Sequence, residues 1–240
     1  MNDVIISGLV KGNDFESVSN DGVMFKVATR IGRGNNADPD VFNVLAYGNS
    51  ADFVRQHASS GLRIVGQGRI SSEKLETNNY HSVITLSRIL SIGESRTGTD
   101  FTQAIVSGEV KSDGIKQTSK GTNLAPFNIK NVRTYRTRDG NEGTYTTYLN
   151  ATAWSDTASR LEAEGKVPCE NEFAVITGIL KPNSYEKEGE TINKIDVWVN
   201  DIVFSDEMSG SPQETTQMES SSPPPTNTSS EYKDGESAPF

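Results

Sequence analysis

Hydrophobic and polar residues alternate in two stretches of the chain with the two-residue period of a half-buried β-strand. The stretches are FNVLAY at residues 42–47 and YLNATAW at residues 148–154. Each is followed by a segment with helical spacing, which begins near Ser, Asn or Asp cap candidates and ends before a glycine. These segments are SADFVRQHAS (50–59) and DTASRLEAE (156–164). The pattern predicts a strand followed by a helix at two places.

The similarity between the two places is part of a longer repeat, because five blocks recur in the same order. Within the first block, Ser7, Gly8, Val10 and Lys11 recur 100 residues later. The paired blocks are IISGLVK (5–11) with IVSGEVK (105–111), MFKV (24–27) with PFNI (126–129), LAYGNSADFV (45–54) with TAWSDTASRL (152–161), RIVGQGRI (63–70) with FAVITGIL (173–180), and ITLSRI (84–89) with VWVNDI (197–202). This order indicates an internal duplication.

Each copy has the elements of a small closed barrel. Five short strands and one helix within about 100 residues are typical of the OB-fold. A sandwich of two sheets is the main alternative, although the single helix in the middle of each copy counts against it. We therefore predict an all-β chain with two tandem OB-fold barrels. The expected boundaries are a first domain at 1–92, a linker at 93–100, a second domain at 101–204 and a tail at 205–240.

Negative charge is concentrated in the tail. The formal net charge is −9; residues 205–240 contain seven acidic residues and one lysine, a net of −6. Residues 1–204 contain 25 acidic and 22 basic residues, a net of −3. Ser, Thr, Pro and Gln dominate the tail and no apolar period remains there, so we expect it to be disordered. The nearly balanced body does not argue against a nucleic-acid partner.

Other features of the sequence predict a cytoplasmic protein. Cys169 is the only cysteine, which rules out an intrachain disulfide and fits a reducing compartment. The amino-terminal MNDVIISGLVK lacks the basic region and sustained apolar run of a signal peptide. No apolar run approaches the roughly 18 residues of a membrane span, so we expect no membrane association.

Signatures of catalysis are scarce. The two histidines, His57 and His81, have no cysteine nearby, which argues against zinc or a Cys–His pair. The sequence GNSAD (48–52) departs from the G-x-S-x-G nucleophile motif at its last position. GQG (66–68) lacks the third glycine of a dinucleotide loop. The prediction is a protein that is not an enzyme and uses no metal or cofactor.

Aromatic residues of the second copy suggest a binding surface. Tyr148 and Trp154 are six residues apart, an even spacing that places both rings on one face of a strand. The small and aliphatic residues between them take the opposite face and can fill a barrel. Tyr135 lies near the tip of a predicted hairpin at Asp139-Gly140, and Tyr185 lies in a second charged hairpin.

Basic residues accompany these rings, namely Lys130, Arg133, Arg136 and Arg138 near Tyr135, and Lys181 before Tyr185. Rings that stack on bases, interleaved with cations that contact phosphates, are typical of proteins that bind single strands. The spacing alone is equally compatible with rings that pack in a barrel and arginines that only keep the surface soluble.

The second copy resembles the bacterial-type single-stranded DNA-binding proteins, known as SSB. RTRDGNEGTYTTYLNATAW (136–154) is similar to the family's third strand with its preceding loop, and ITGILKPNSYEKEGETINKIDVWVNDIVF (176–204) to its last hairpin. The resemblance spans roughly residues 103–204, and the first copy, 3–92, is a weaker match. Two units in one chain resemble the tandem-OB branch of the family, which implies a homodimer with four OB-folds.

The resemblance also implies which residues contact DNA. Family members stack bases on aromatic residues at four recurring places, which fall on Tyr135, Tyr148, Trp154 and Tyr185. The corresponding positions of the first copy are about Arg33, Val41, Tyr47 and Leu75, so only Tyr47 is aromatic. We expect Arg33 and Tyr47 to contribute to DNA binding and the first barrel to dock or guide the backbone more than it stacks bases.

The carboxyl end resembles the family's recruitment tail, an acidic stretch that ends in Pro and Phe. KDGESAPF retains Asp234, Glu236, Pro239 and Phe240 but has Ala238 at the bulkier apolar position. The resemblance implies that these four residues recruit replication and repair proteins. A terminal Phe with its own carboxylate suits an apolar pocket rimmed by basic residues.

Together, these observations predict a nucleoid-associated protein that binds and protects single-stranded DNA, without sequence preference, during replication, recombination and repair. One alternative is an accessory scaffold that binds replication proteins and touches DNA only weakly. An RNA-binding OB protein is a second alternative, because every base offers a stacking face.

Overall fold

The computed structural model describes residues 1–18, 21–31, 38–74, 79–94, 99–137, 139–187 and 189–205. Arg33, Leu75, Arg138 and the tail residues Asp234, Glu236, Pro239 and Phe240, which the sequence analysis singled out, lie outside these ranges. The helices and strands of the described chain are β1 (Asn2–Val18), β2 (Gly22–Thr29), β3 (Asp40–Tyr47), α1 (Asn49–His57), β4 (Arg63–Lys74), β5 (Tyr80–Gly93), β6 (Phe101–Ser112), β7 (Lys116–Gln117), β8 (Asn123–Arg136), β9 (Glu142–Trp154), α2 (Ser155–Ala163), β10 (Cys169–Lys187) and β11 (Glu190–Phe204).

The strands close into two barrels of the same topology. In the first, neighbouring strands follow the order β2-β3-β5-β4-β1, and pairing of β1 with β2 closes the ring. In the second, the order is β8-β9-β11-β10-β6, and β6 with β8 closes it. The β3–β5 and β9–β11 pairs are parallel, while the other pairs within the barrels are antiparallel. The predicted pair of OB-fold barrels is confirmed, and the sandwich alternative is wrong.

Alternation along the strands fills each barrel as the sequence pattern predicted. Leu149, Ala151 and Ala153 are buried on β9, and Phe42, Val44 and Ala46 are their counterparts on β3. Both helices form where expected, but the expected side-chain caps do not. The helices follow Gly48 and Trp154, and neither of these residues makes a side-chain cap hydrogen bond.

Gly68 and Gly178 correspond to each other in the repeat, and each lies where two neighbouring strands approach closely. A β-carbon added to Gly68 would collide with the backbone carbonyl of Thr85, and one added to Gly178 would collide with that of Trp198. Each glycine also adjoins a register shift between its strand and the next. Glycine at such a bulge lets the strand bend sharply enough for a small barrel to close.

A strand pairing between β1 and β6 makes the two barrels one continuous sheet. Val4 lies opposite Ala104, and the register extends from Asn2 opposite Val106 to Ser7 opposite Phe101. Val4 and Ala104 are 100 residues apart, which is also the offset of the sequence repeat. Equivalent residues therefore face each other at this pair, as expected for two copies related by an approximate two-fold axis.

The β10–β11 hairpin of the second barrel provides another connection, because it packs on the first barrel. The Lys181 ammonium lies 2.7 Å from the Asp40 carboxylate, and both side chains are buried. The backbone N–H of Asn193 donates to Nδ1 of His81 at 3.3 Å, and Lys194 Nζ donates to the Tyr80 carbonyl at 3.1 Å. These bonds hold the hairpin against β3 and β5.

Candidate nucleic-acid interface

The outer face of β9 presents Tyr148, whose residue surface is 71% exposed. Its neighbour along the strand, Leu149, is buried in the barrel, so β9 is fixed by its core face while the ring projects outward. Lys130 on β8 lies directly opposite Tyr148 in the strand register. A cation and a phenol ring therefore share one surface of the second barrel.

Lys130 forms an exposed ion pair with Glu109 at 2.7 Å. The hydrogen bond and charge of Glu109 raise the pKa of the Lys130 ammonium above its ordinary value. Solvent-exposed pairs contribute little free energy. A phosphate can therefore replace the carboxylate without a large loss of protein stability.

Trp154 lies on the same face of β9 but is only partly exposed. Its ring centroid is 5.6 Å from that of Trp198, with the planes inclined by 54°. Trp198 is on β11, where Val197 and Val199 on either side are buried and the indole is partly exposed. Trp198 is not among the site residues predicted from the sequence, although the alternation in VWV (197–199) already places it outside the core.

Lys181, which the sequence predicted to contact DNA, is buried between the two barrels. It is 6% exposed, pairs with Asp40, and lies with its ammonium 5.0 Å from the centroid of the Trp198 ring. The neutralised and enclosed charge is unsuited to a phosphate contact, which corrects the prediction from sequence. Tyr185, farther along the same hairpin, is exposed opposite the buried Ile192.

The β8–β9 hairpin divides the predicted residues between two faces. Residues paired across an antiparallel ribbon share a face, and successive residues alternate. Tyr135 is five positions beyond Lys130 on β8, so it lies on the face opposite Lys130 and Tyr148. Tyr135 is half-exposed and covers Gly143, where an added β-carbon would lie 2.6 Å from the ring. Tyr135 and Tyr148 thus belong to different surfaces.

The hairpin's basic residues follow the same division. Arg136 is on the Tyr148 face and pairs with Glu142 at 2.8 Å in an exposed ion pair. Arg133 shares the Tyr135 face, where it lies opposite Tyr145 in the strand register. Tyr145, another ring that the sequence analysis did not single out, is partly exposed and donates its hydroxyl to the Ser72 carbonyl at 3.1 Å.

The corresponding face of the first barrel is largely covered. Leu45 lies between Asn43 and Tyr47 on the outer side of β3, yet it is completely buried. The β10–β11 hairpin packs over this region, beside a cavity of about 660 Å³ lined by residues of both barrels. Tyr47, at the end of β3, remains exposed. This covering agrees with the loss of aromatic residues at the first barrel's other positions.

The described residues contain no group of three His, Cys, Asp or Glu side chains arranged to hold a metal ion. Neither described helix is long and apolar enough to cross a membrane.

Comparison with solved structures shows that the chain has the fold of single-stranded DNA-binding proteins. A deletion mutant of the single-stranded DNA-binding protein of Thermus aquaticus aligns with a TM-score of 0.63 and 17% identity, over 89% of this chain and 98% of that one. The wild-type Thermus aquaticus protein aligns with a TM-score of 0.62 and 15% identity, over 85% and 92%. No model of a protein family matches the sequence, and neither does any curated protein.

Proposed function

We propose that this chain binds single-stranded DNA, without sequence preference and without catalysis, on the outer face of its second barrel. The principal supporting observation is the exposed Tyr148 ring beside Lys130, on a strand whose next residue, Leu149, is buried in the barrel core. A ring that served only packing would be covered. Tyr148 instead projects into solvent next to a cation, which suits a base stacked on the phenol and its phosphate at the ammonium.

The wider role that we propose is protection of exposed strands in the nucleoid during replication, recombination and repair. It rests on the fold shared with the Thermus aquaticus proteins, which are named for single-stranded DNA binding. We assign residues 1–92 and 101–204 to two OB-fold domains. We further propose that Asp234, Glu236, Pro239 and Phe240 of the tail recruit replication and repair proteins, a proposal based on the sequence alone.

We also propose that the chain forms a homodimer. The outer side of the sheet that joins the barrels has exposed apolar residues on several strands, namely Leu9, Phe101, Phe173 and Val203. The β1–β6 pairing gives this face an approximate two-fold axis, and the isologous interface of a dimer needs a self-complementary surface. A second copy is the occupant that suits such a face.

An oligo-dT titration with two aromatic variants tests the binding proposal. Loss of one stack corresponds to about 1–3 kcal/mol, so Tyr148→Ala should weaken binding by about 5- to 150-fold. Phe53→Ala is the matched control, because Phe53 is an exposed ring on α1, away from β9. Equal affinities for both variants and the wild type would contradict the proposed site.

The affinity of the wild-type chain for oligo-dT distinguishes single-stranded DNA binding from the accessory-scaffold alternative. A dissociation constant no tighter than the nonspecific range of about 10⁻⁴ to 10⁻⁶ M would favour the accessory scaffold. Competition between oligo-dT and oligo-U distinguishes DNA from RNA as the preferred strand. The proposal predicts that oligo-U displaces oligo-dT only at higher concentration.

A further inference from the structure

A groove lies between the β8–β9 hairpin of the second barrel and strand β4 of the first. Two cavities, of about 310 and 530 Å³, make up this inter-barrel groove. Arg69, Arg133 and Tyr145 line both of them, so the cavities adjoin. Tyr135 and Tyr80 line the larger cavity. Because Tyr135 is on the hairpin face opposite Tyr148, this groove is a different surface from the outer face of β9.

Hydrogen bonds between the barrels fix the walls of the groove. The Tyr145 hydroxyl donates to the carbonyl of Ser72 on β4. Nearer the base of the hairpin, Asn131 Nδ2 donates to the Met1 carbonyl at 2.9 Å. The hairpin is therefore tied to the first barrel at two points, and the groove between them is a formed feature of the fold.

Basic residues outnumber acidic residues along the groove. Neither Arg69 nor Arg133 forms an ion pair with any residue that the structure describes, and Nε of Arg69 is buried without a hydrogen-bond partner. Acidic residues also line the groove, Asp3 in the smaller cavity and Glu73 in the larger. A guanidinium with unused donors is suited to an oxyanion, because its fork of N–H groups matches the geometry of a phosphate.

Tyr47 of the first barrel lies within electrostatic reach of the groove. Burial raises the pKa of its phenol above the ordinary value, Glu73 raises it further, Arg69 lowers it, and Tyr145 raises it. In the strand register Thr85 lies between Leu45 of β3 and Arg69 of β4, so Tyr47, two residues beyond Leu45, is on the same outer face of the first barrel as Arg69. Arg69 therefore lies on the outer face that carries Tyr47 and also lines the groove with Tyr135 and Tyr145 of the second barrel.

We propose that the inter-barrel groove is a second segment of the DNA-binding surface, which leads a single strand from the second barrel to Tyr47 of the first. Bases stack on Tyr135, Tyr145 and Tyr47, and phosphates contact Arg133 and Arg69. The proposal rests on the proposed function and extends it. It gives the first barrel a role in binding even though the β10–β11 hairpin covers most of its own face.

Full-length variants titrated with oligo-dT of two lengths test the groove. An oligomer of about 8 nucleotides fits one OB-fold, whereas one of about 35 exceeds two OB-folds at their upper site size. With the longer strand, Tyr145→Ala should bind about 5- to 150-fold more weakly, while Tyr145→Phe should retain wild-type affinity because the ring remains. Arg69→Gln should make the slope of log K against the logarithm of salt concentration less negative by about 0.7, because one phosphate contact is lost.

Controls separate binding from structure. Arg30→Gln removes an arginine that follows β2 and lines neither cavity, so its salt slope should stay unchanged. With the shorter strand, all groove variants should match the wild type. If Tyr145→Phe loses as much affinity as Tyr145→Ala, the Ser72 hydrogen bond accounts for the effect and the stacking role is wrong.

The results can reject the proposed role of the groove without rejecting the proposed binding of single-stranded DNA. Wild-type affinity and salt slope for both Tyr145→Ala and Arg69→Gln on the longer strand would overturn the groove. If Tyr148→Ala still weakened both oligomers, the proposed function would stand without the groove. Should Tyr145→Ala fail to fold, the salt slope of Arg69→Gln alone decides the proposal.

Discussion

Lys181 on β10 and Asp40 on β3 form a buried ion pair whose charged atoms are 2.7 Å apart and whose positions in the sequence differ by 141. The pair joins the long hairpin of the second barrel to the first barrel. It also lies next to Trp198, over which the ammonium is placed. Its contribution is therefore expected to be structural, and DNA binding should not depend directly on its charge.

Lys181→Met should destabilise the protein by about 3–5 kcal/mol, because the substitution removes the cation that pairs with the buried Asp40 carboxylate. Denaturant unfolding measures the loss. Combining Lys181→Met with Asp40→Leu removes both charges and should recover most of the stability. If Lys181→Met alone were as stable as the wild type, the Lys181–Asp40 pair would be solvated and not buried.

Trp154→Ala should affect both stability and binding, unlike Tyr148→Ala. The indole packs on Trp198 and is partly buried, so its removal should lower the free energy of unfolding by about 1–3 kcal/mol. Tyr148 is mostly exposed, and its replacement should change stability by no more than about 0.5 kcal/mol. Thermal unfolding measured beside oligo-dT titration compares the two. Reduced stability of Trp154→Ala with unaltered affinity would assign Trp154 to packing alone.

Stability should fall at mildly acidic pH because of His81. Burial, and then Lys194, lower its pKa below the ordinary value of about 6.5, while Glu190 raises it. The unfolded chain therefore takes up a proton at a higher pH than the folded chain does. The stabilising effect is complete above pH 6.5 or so and is lost as pH falls toward the lowered folded pKa.

Asparagine at position 81 provides the matched control for this pH dependence. In His81→Asn the side-chain oxygen can still accept from the Asn193 N–H, but it does not titrate. Unfolding followed from pH 8 to pH 5 should show a smaller decline for His81→Asn than for the wild type. Identical declines would exclude His81 as the cause.

Deletion of residues 233–240 should separate recruitment from strand binding. Because the tail has a net charge of −6, we expect it to compete weakly with phosphates, and its shortening should leave oligo-dT affinity equal or slightly higher at low salt. Pull-downs with replication and repair proteins should fail for the truncated chain and largely fail for Phe240→Ala. Recovery of the same partners without these residues would contradict the assignment.

Sequence patterns predicted the barrels because their cause is local. The alternation in 148–154 determines which side chains of β9 face the core, and the 100-residue repeat indicates that the second topology copies the first. The outward placement of both Tyr148 and Trp154 follows from that alternation. The alternation in VWV likewise places Trp198 on the outer face of β11, beside Trp154.

Other parts of the site depended on contacts that no local pattern contains. Lys181 occurs in a charged hairpin, and its burial results from Asp40 in the other barrel. Tyr135 and Tyr148 belong to one ribbon, but their faces depend on the register of β8 against β9, which the sequence did not specify. Arg69 has no aromatic neighbour in sequence, and only the docking of the hairpin on β4 brings Tyr145 to it.

Intrinsic tryptophan fluorescence during an oligo-dT titration tests the central claim most directly. The chain has two tryptophans, Trp154 and Trp198, and both lie at the proposed interface. Stacking of bases beside this pair should quench the emission in a saturable way, with a dissociation constant well below 10⁻⁶ M, the tight end of the nonspecific range of about 10⁻⁴ to 10⁻⁶ M. Emission that does not change with oligo-dT, or that changes only within that nonspecific range, would contradict binding on the second barrel.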